Sequence, residues 1–201
     1  MNHQPTEGIF EVVSFNVSAK TGTRKKAVDR VVFVEGLGME GDAHAGLIEN
    51  RQVSLLAAEE IEEANQKLRA SLAAPVEPVA LGSGTSAEGS PGLAVNARPS
   101  TIVMPEGPTF VRGKAGLDHL SPGDFAENIT TRGIVLHELP LGTRLEIGGV
   151  LLEVSKIGKE CHTDCEVRRL VGDCVMPRKG IFARVVRGGE ARREDSCHYH
   201  L

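Results

Sequence analysis

The chain of 201 residues has no tryptophan and a single tyrosine, and with six phenylalanines its aromatic share is only 3%. It therefore has little to stack on bases. Its 23 Lys and Arg are interspersed with 27 Asp and Glu, so no basic face forms and nucleic acid is excluded as the expected partner. Long apolar runs are missing too. None approaches the roughly 20 residues that span a bilayer, and the polar start MNHQPTEG lacks the basic end and apolar stretch of a secretory leader. The expectation is a soluble, cytoplasmic protein with no membrane partner. Cysteine is also scarce: four residues are too few for a disulfide scaffold, and clustered thiols in a reducing compartment more often serve catalysis or metal binding.

Three of those four cysteines, Cys161, Cys165 and Cys174, fall in the stretch KIGKECHTDCEVRRLVGDCVMPRKGIFARVVRGG. His162 lies between the first two, and Lys159, Arg168, Arg169, Arg178 and Lys179 are close in sequence. Neighbouring positive charge favours the thiolate, which is the form that attacks sulfur and binds metals. Glu160, Asp164, Glu166 and Asp173 act the other way.

Elsewhere the pattern is mostly that of strands. IFEVVSFNV (9–17) and VVFV (31–34) are β-branched and aromatic runs joined by the polar, turn-like AKTGTRKKAVD. GLGMEGDAHAG follows, a glycine-rich loop around Asp42 and His44 without the strand-then-helix frame of a dinucleotide site. In RQVSLLAAEEIEEANQKLRASL, residues Ala58, Ile61, Asn65 and Leu68 share one helical face, the Glu run is a solvated face, and Ser54 is the expected N-cap. About residues 70–100 the chain becomes Ala, Ser, Pro and Gly without periodicity, which predicts a disordered insertion; TIVMP (101–105) is a candidate edge strand. Arg144–Ile147 and Val150–Val154 flank Gly148-Gly149, a hairpin signal expected to make a type I′ turn with positive φ at both glycines. Strands outnumber helices at hairpin spacing, so the expected fold is mainly β, a small barrel or strongly curved sheet. The expected organisation is a single domain over 1–201, with that insertion and a frayed tail at about 190–201.

Four stretches, in order, resemble the MOSC family, the domain at the C-terminus of molybdenum cofactor sulfurases that also occurs free-standing. They are GMEGDAHAG with RQVSLL, PGDFAENITTRGI, LPLGTRLEIGGVLLEV, and GKECHTDC with GDCVMPRKGIFARVVRGG. The resemblance implies a barrel like the β-domain of pyruvate kinase, with one or two helices. It also implies sulfur transfer, or molybdenum cofactor (molybdopterin) held through a cysteine sulfur, rather than ordinary turnover. The family's functional cysteine follows the hairpin ending in LLEV, a place that both Cys161 and Cys165 fit; Cys161 is favoured as carrier and either is a candidate molybdenum ligand. Implied partners are a cysteine desulfurase-like sulfur donor and molybdenum cofactor maturation proteins or molybdoenzymes, and the association with sulfurases brings in pyridoxal phosphate. The family's last strand is replaced here by ARREDSCHYHL, which puts closure of the barrel in question.

On this reading Cys161 would carry a persulfide, with Cys165 or Cys174 to resolve it and His44 as proton carrier. Arg168, Arg169, Arg178 and Lys179 are candidates for the cofactor's phosphate and polar edge, Asp42 for the site mouth, and Asn128 for either a ligand or a backbone contact, the latter favoured. Cys174 also fits a buried, inert thiol. The competing class is a structural zinc site of Cys161, Cys165, Cys174 and either His162 or Cys197 in a binding module. Cys197, His198 and His200 at the tail would offer only adventitious metal binding.

Overall fold

The computed structural model of the chain describes residues 6–73, 119–159, 168 and 174–201. The first strand, β1 (Glu7–Val17), shows how the barrel wall is built. Phe10 and Val12 point into the core at alternate positions, as the two-residue strand period requires. A bulge between Val12 and Ser14 then shifts the register with β6 (Ile129–Arg132), and Phe15 takes over the inward side.

The remaining strands are β2 (Lys26–Val28), β3 (Arg30–Val34), β4 (Gly38–Met39), β5 (Val53–Ala57), β7 (Arg144–Ile147), β8 (Val150–Ile157), β9 (Ile181–Arg187), β10 (Gly189–Arg192) and β11 (Cys197–His200). Seven of them close a ring in the order β11, β7, β8, β9, β5, β6, β1, with β1 returning to β11; β2 extends the sheet beyond β1, and β10, β3 and β4 form a smaller sheet. The β5–β6 pair is parallel and the other pairings are antiparallel. The mainly β barrel expected from the sequence is therefore what forms. Its interior is filled by fully buried side chains including Phe15, Leu55, Ile129, Leu145, Leu152 and Ile181. Each is worth about 1.5–3 kcal/mol of burial.

Two α-helices lie among the described residues, α1 (Ala58–Ala73) and the short α2 (Met176–Lys179). The four residues expected on one face of α1, Ala58, Ile61, Asn65 and Leu68, are all buried. That face joins Leu120, Phe125, Met176 and Phe182 in a second apolar cluster outside the ring. Asn65 clamps the chain beyond the insertion: its amide donates to Leu120 O at 2.8 Å and its carbonyl accepts from Leu120 N at 2.7 Å. Residues 70–73 end α1, while the rest of the expected insertion and TIVMP fall outside the described residues. No helix among the described residues is long and apolar enough to cross a membrane.

The structure departs from the sequence reading in four places. The tail expected to fray is paired: β11 bonds to β1 through Glu7↔His200 to Phe10↔Cys197 and to β7 on its other side, so these last residues complete the barrel. Closure brings the Tyr199 ring over Gly8, where a Cβ would come within 2.6 Å of it; a side chain there would push the seam apart. Ser54 is not an N-cap, because β5 continues to Ala57 and α1 starts directly after it. The Gly148-Gly149 hairpin forms, yet positive φ occurs only at Gly148 (57°), the pattern of a II′ rather than a I′ turn. Finally, the polar linker after β1 contains β2, which its lysines disguised.

Candidate functional site

Lys25 closes the turn between β1 and β2, and its side chain is fully buried. A buried ammonium needs a counter-charge, and Asp42 supplies it: Lys25 Nζ is ion-paired to Asp42 Oδ2. The glycine-rich loop between β4 and β5 wraps this carboxylate tightly. Asp42 Oδ2 accepts Ser18 N–H at 3.1 Å, Oδ1 accepts His44 N–H at 3.0 Å, and Oδ1 lies 3.3 Å from His44 Nδ1. Lys25 Nζ lies 3.4 Å from the same ring nitrogen. His44 keeps 36% of its side chain exposed, so it is the face that this buried pair turns to the surface.

Burial pushes the Lys25 ammonium below its ordinary range, although Asp42 and Glu127 oppose that, and the Lys159 charge lowers it further. For Asp42, burial acts upward, but hydrogen bonds from His44 and Lys25 prevail and hold it well below the usual carboxylate range. The groups that act on Lys25 come from widely separated segments: the glycine-rich loop, the FAEN turn before β6, and the residue that opens the cysteine stretch.

The FAEN turn is held by its own backbone. Gly123 has φ +90° and Ala126 φ +63°. Gly123 O accepts Lys25 N–H at 2.8 Å, and a Cβ on Gly123 would sit 2.5 Å from Lys25 O. Gly123→Ala is therefore expected to cost about 1–3 kcal/mol from backbone strain and crowding, read as a lower urea midpoint with unchanged slope.

The cysteine stretch leaves and re-enters the barrel at one point. Ile157 at the end of β8 pairs with Ile181 at the start of β9, and Gly158 N–H donates to Gly180 O at 2.8 Å. Cys161, Cys165, His162 and Arg169 fall outside the described residues. Arg168 is exposed, in helical backbone. Lys179 in α2 is committed elsewhere, 3.0 Å from His137 Nε2 and 3.4 Å from Glu60 Oε1, and the charge of its neighbour Arg178 acts on Glu63.

Of the remaining sequence candidates, Asp42 and His44 are brought together, whereas Asn128 and Cys174 are buried away from solvent. Asn128 Oδ1 accepts from Ser54 N at 3.1 Å and from Ser54 Oγ at 2.9 Å, and its Nδ2 donates to Asn16 O at 3.3 Å, which makes it a cross-link in the wall. Cys174 packs with Leu56 and Met176 outside the ring, while Cys197 lies in the barrel core with its thiol pushed up to about 11 by burial. The two thiols belong to separate cores, so a zinc site using both is not built, and no group of three or more metal-ligating side chains gathers among the described residues. Lys25 and Glu127 are site residues that the sequence reading passed over. A lysine inside TRKKAVD has the pattern of a solvated charge, and only the neighbouring Asn of FAEN stood out.

A family model described as MOSC domain matches residues 93–198, more than half of the chain. The chain belongs to the MOSC family. Solved structures agree on the fold. The YuaD protein of Bacillus subtilis superposes with a TM-score of 0.63 at 17% identity, covering 96% of this chain and 97% of that one. YiiM of Escherichia coli (TM-score 0.56, 14% identity) and YiiM of Geobacillus stearothermophilus (0.56, 15%) also cover 96% of this chain, and 70% and 75% of their own. No curated protein matches the sequence. This MOSC chain thus has its family's tie to molybdenum-cofactor-related sulfur handling, and its Lys25 side chain contacts Asp42 and His44 of the GMEGDAHAG stretch while its backbone N–H bonds to Gly123 of the PGDFAEN stretch.

Proposed function

We propose that this MOSC protein carries sulfur as a cysteine persulfide, or holds molybdenum cofactor through a cysteine thiolate, at Cys161 or Cys165. The observation that supports the reading is Lys159. It stands two residues before Cys161, and its charge reaches the buried Lys25 beside Asp42 and His44. Lys159 is thus a cationic neighbour in sequence of the kind that favours the thiolate of Cys161.

In the carrier reaction the thiolate attacks the outer sulfur of a sulfane donor. A new S–S bond forms, the donor's S–S bond breaks, and the donor leaves as a thiolate. The persulfide then yields its outer sulfur to an acceptor and the cysteine thiolate returns, with no net redox change. His44, exposed at the cluster, would take the thiol proton before attack. This is transfer chemistry more than ordinary turnover. The donor would be a cysteine desulfurase-like protein and the acceptors cofactor maturation proteins or molybdoenzymes.

The donor set also fits molybdenum cofactor. Soft thiolates at Cys161 and Cys165 suit molybdenum, and the exposed Arg168 is available to a phosphate, whereas Lys179 is already engaged by Glu60 and His137. A bound cofactor would supply two-electron redox chemistry at its metal, and the protein would supply position and charge.

Cys161→Ser, Cys165→Ser and the double variant are expected to separate these roles. Mass spectrometry after incubation with a sulfane donor should show added sulfur on the wild type, a loss of at least tenfold in one single variant, and none in the double. Molybdenum content should fall in parallel if a thiolate is the ligand. Unchanged sulfur loading and unchanged molybdenum in the double variant would sink the proposal.

A further inference from the structure

The loops beside His44 carry apolar side chains that the fold leaves outside. Val34, Leu37, Leu47 and Ile48 are four of the ten large apolar residues exposed among the described residues, and they come from two short segments, the end of β3 with its turn into β4 and the glycine-rich loop. Leu47 is 62% exposed, and Leu37 and Ile48 are 49% exposed each. Single exposed apolar residues are ordinary on a surface, but a group of them marks a place of contact.

The backbone brings this group together. Gly46 N–H donates to Leu37 O at 2.8 Å, and a Cβ on Gly46 would sit 3.3 Å from Leu37 Cδ2, so the Leu37 side chain lies over the residue that precedes Leu47. Leu37 N–H donates to Val34 O at 3.0 Å, and Leu47 N–H donates to His44 O at 3.2 Å. Gly36 ties the turn to the barrel through both its polar groups: its N–H donates to Val185 O at 3.2 Å, and its carbonyl accepts from Gln52 Nε2 at 2.8 Å. The patch is therefore preformed, and it borders His44.

The charge around it is of one sign. From Val34 to Asn50 there is no Lys or Arg, and Glu35, Glu40 and Glu49 are exposed, with no hydrogen bond or ion pair to their carboxylates among the described residues. Asp42 is matched internally by Lys25, and Arg51, the first cation after the loop, lies over the Phe182 ring. Unpaired carboxylates around an apolar centre repel a second copy of the same face and an anionic lipid surface alike. They complement a protein whose apolar contact is ringed by Lys and Arg.

We propose that Val34, Leu37, Leu47 and Ile48, set among the carboxylates of Glu35, Glu40 and Glu49, are the docking surface for the sulfur-donating protein, which meets this chain through an apolar patch ringed by basic side chains. The inference rests on the reading that this protein is loaded with sulfur, and it adds where the donor sits. Four side chains are far fewer than the roughly 20–30 residues a side of a stable interface, so the contact is brief and charge steers the encounter. Release of the donor then leaves the same face open to an acceptor.

The test uses the whole protein, with the cysteine desulfurases of its source organism as probes. Surface plasmon resonance follows their binding, and mass spectrometry follows sulfur loading, with inorganic polysulfide as a donor that needs no docking. Leu37→Asp/Leu47→Asp should weaken desulfurase binding at least tenfold and cut loading from the desulfurase in proportion, while loading from polysulfide stays at the wild-type level. Association of the wild type should slow as ionic strength rises from about 0.01 M to about 0.15 M, where the screening length falls from about 30 Å to about 8 Å. Glu35→Lys/Glu40→Lys/Glu49→Lys, which spares the apolar residues, should associate at least tenfold more slowly at the low-salt end and lose that slowing.

A wild type that binds no desulfurase, or a double Leu variant that binds as well as the wild type, would overturn the proposal. So would self-association in sedimentation that Leu37→Asp/Leu47→Asp abolishes, because the face would then belong to a second copy. Failure of the carrier reading has a different outcome: desulfurase binding would still respond to the patch variants, while neither donor loads Cys161 or Cys165.

Discussion

Asp42→Ala is expected to destabilise the protein by about 3–5 kcal/mol, the usual cost of stranding one charge of a buried ion pair. Three partners lose their acceptor at once: the Lys25 ammonium, the backbone N–H of Ser18 and the backbone N–H of His44. The glycine-rich loop would lose the side chain that ties it to the end of β1 and to the β1–β2 turn. A fall in the urea midpoint measures the effect. Lys25→Met/Asp42→Ala should lose less than the single variant, because the unpaired ammonium is gone as well.

The acid behaviour should change in step. Asp42 has a folded pKa held below its ordinary 3.8, so its contribution to stability is complete above that value and is lost as pH falls further. Wild-type stability should therefore decline through the acid range, and the part due to Asp42 should be missing from the variant. A loss under about 1 kcal/mol for Asp42→Ala would show that the pair is not the anchor of this loop.

Asn128→Ala is expected to cost about 3–5 kcal/mol by a different route. Asn128 stands just before β6, where the parallel β5–β6 pairing meets the antiparallel β1–β6 pairing. Its side chain serves the Ser54 amide, the Ser54 hydroxyl and the Asn16 carbonyl, all within the wall. Alanine takes the side-chain partner from the Ser54 amide and the Asn16 carbonyl, while the Ser54 hydroxyl keeps Asn128 N–H at 3.1 Å and Ala126 O at 3.4 Å, and each stranded group costs about 1–3 kcal/mol. The amide of Ser54 should then exchange with solvent much faster than in the wild type. If sulfur loading per folded molecule stays unchanged, the residue is a cross-link and not a ligand contact.

These two residues differ in how far the sequence announced them. Asp42 stood in a loop whose glycines marked it as shaped, and a polar residue there invites attention. The FAEN motif fits either role for Asn128, and only the positions of Ser54 and Asn16 fix which one it fills. Lys25 went unseen because a basic residue between Arg24 and Lys26 has the pattern of solvent exposure, and nothing local records that Asp42, 17 residues on, lies against it. Glu127 was hidden in the same way: its burial comes from Thr130, Gly123 and the wall behind them.

The sequence by itself determined strands β1 and β3, through β-branched runs; the β7–β8 hairpin, through two glycines; the buried face of α1, through its period; and the family, through four motifs in order. Local rules are enough for these because backbone preference and side-chain period act over a few residues. Tertiary structure alone decided that the last residues close the barrel, that the hairpin turns with one positive φ and not two, and that Lys25, Asp42 and His44 meet. Those outcomes depend on pairings between distant segments, from Glu7 with His200 to Lys25 with Gly123, and on the low dielectric that the pairings create.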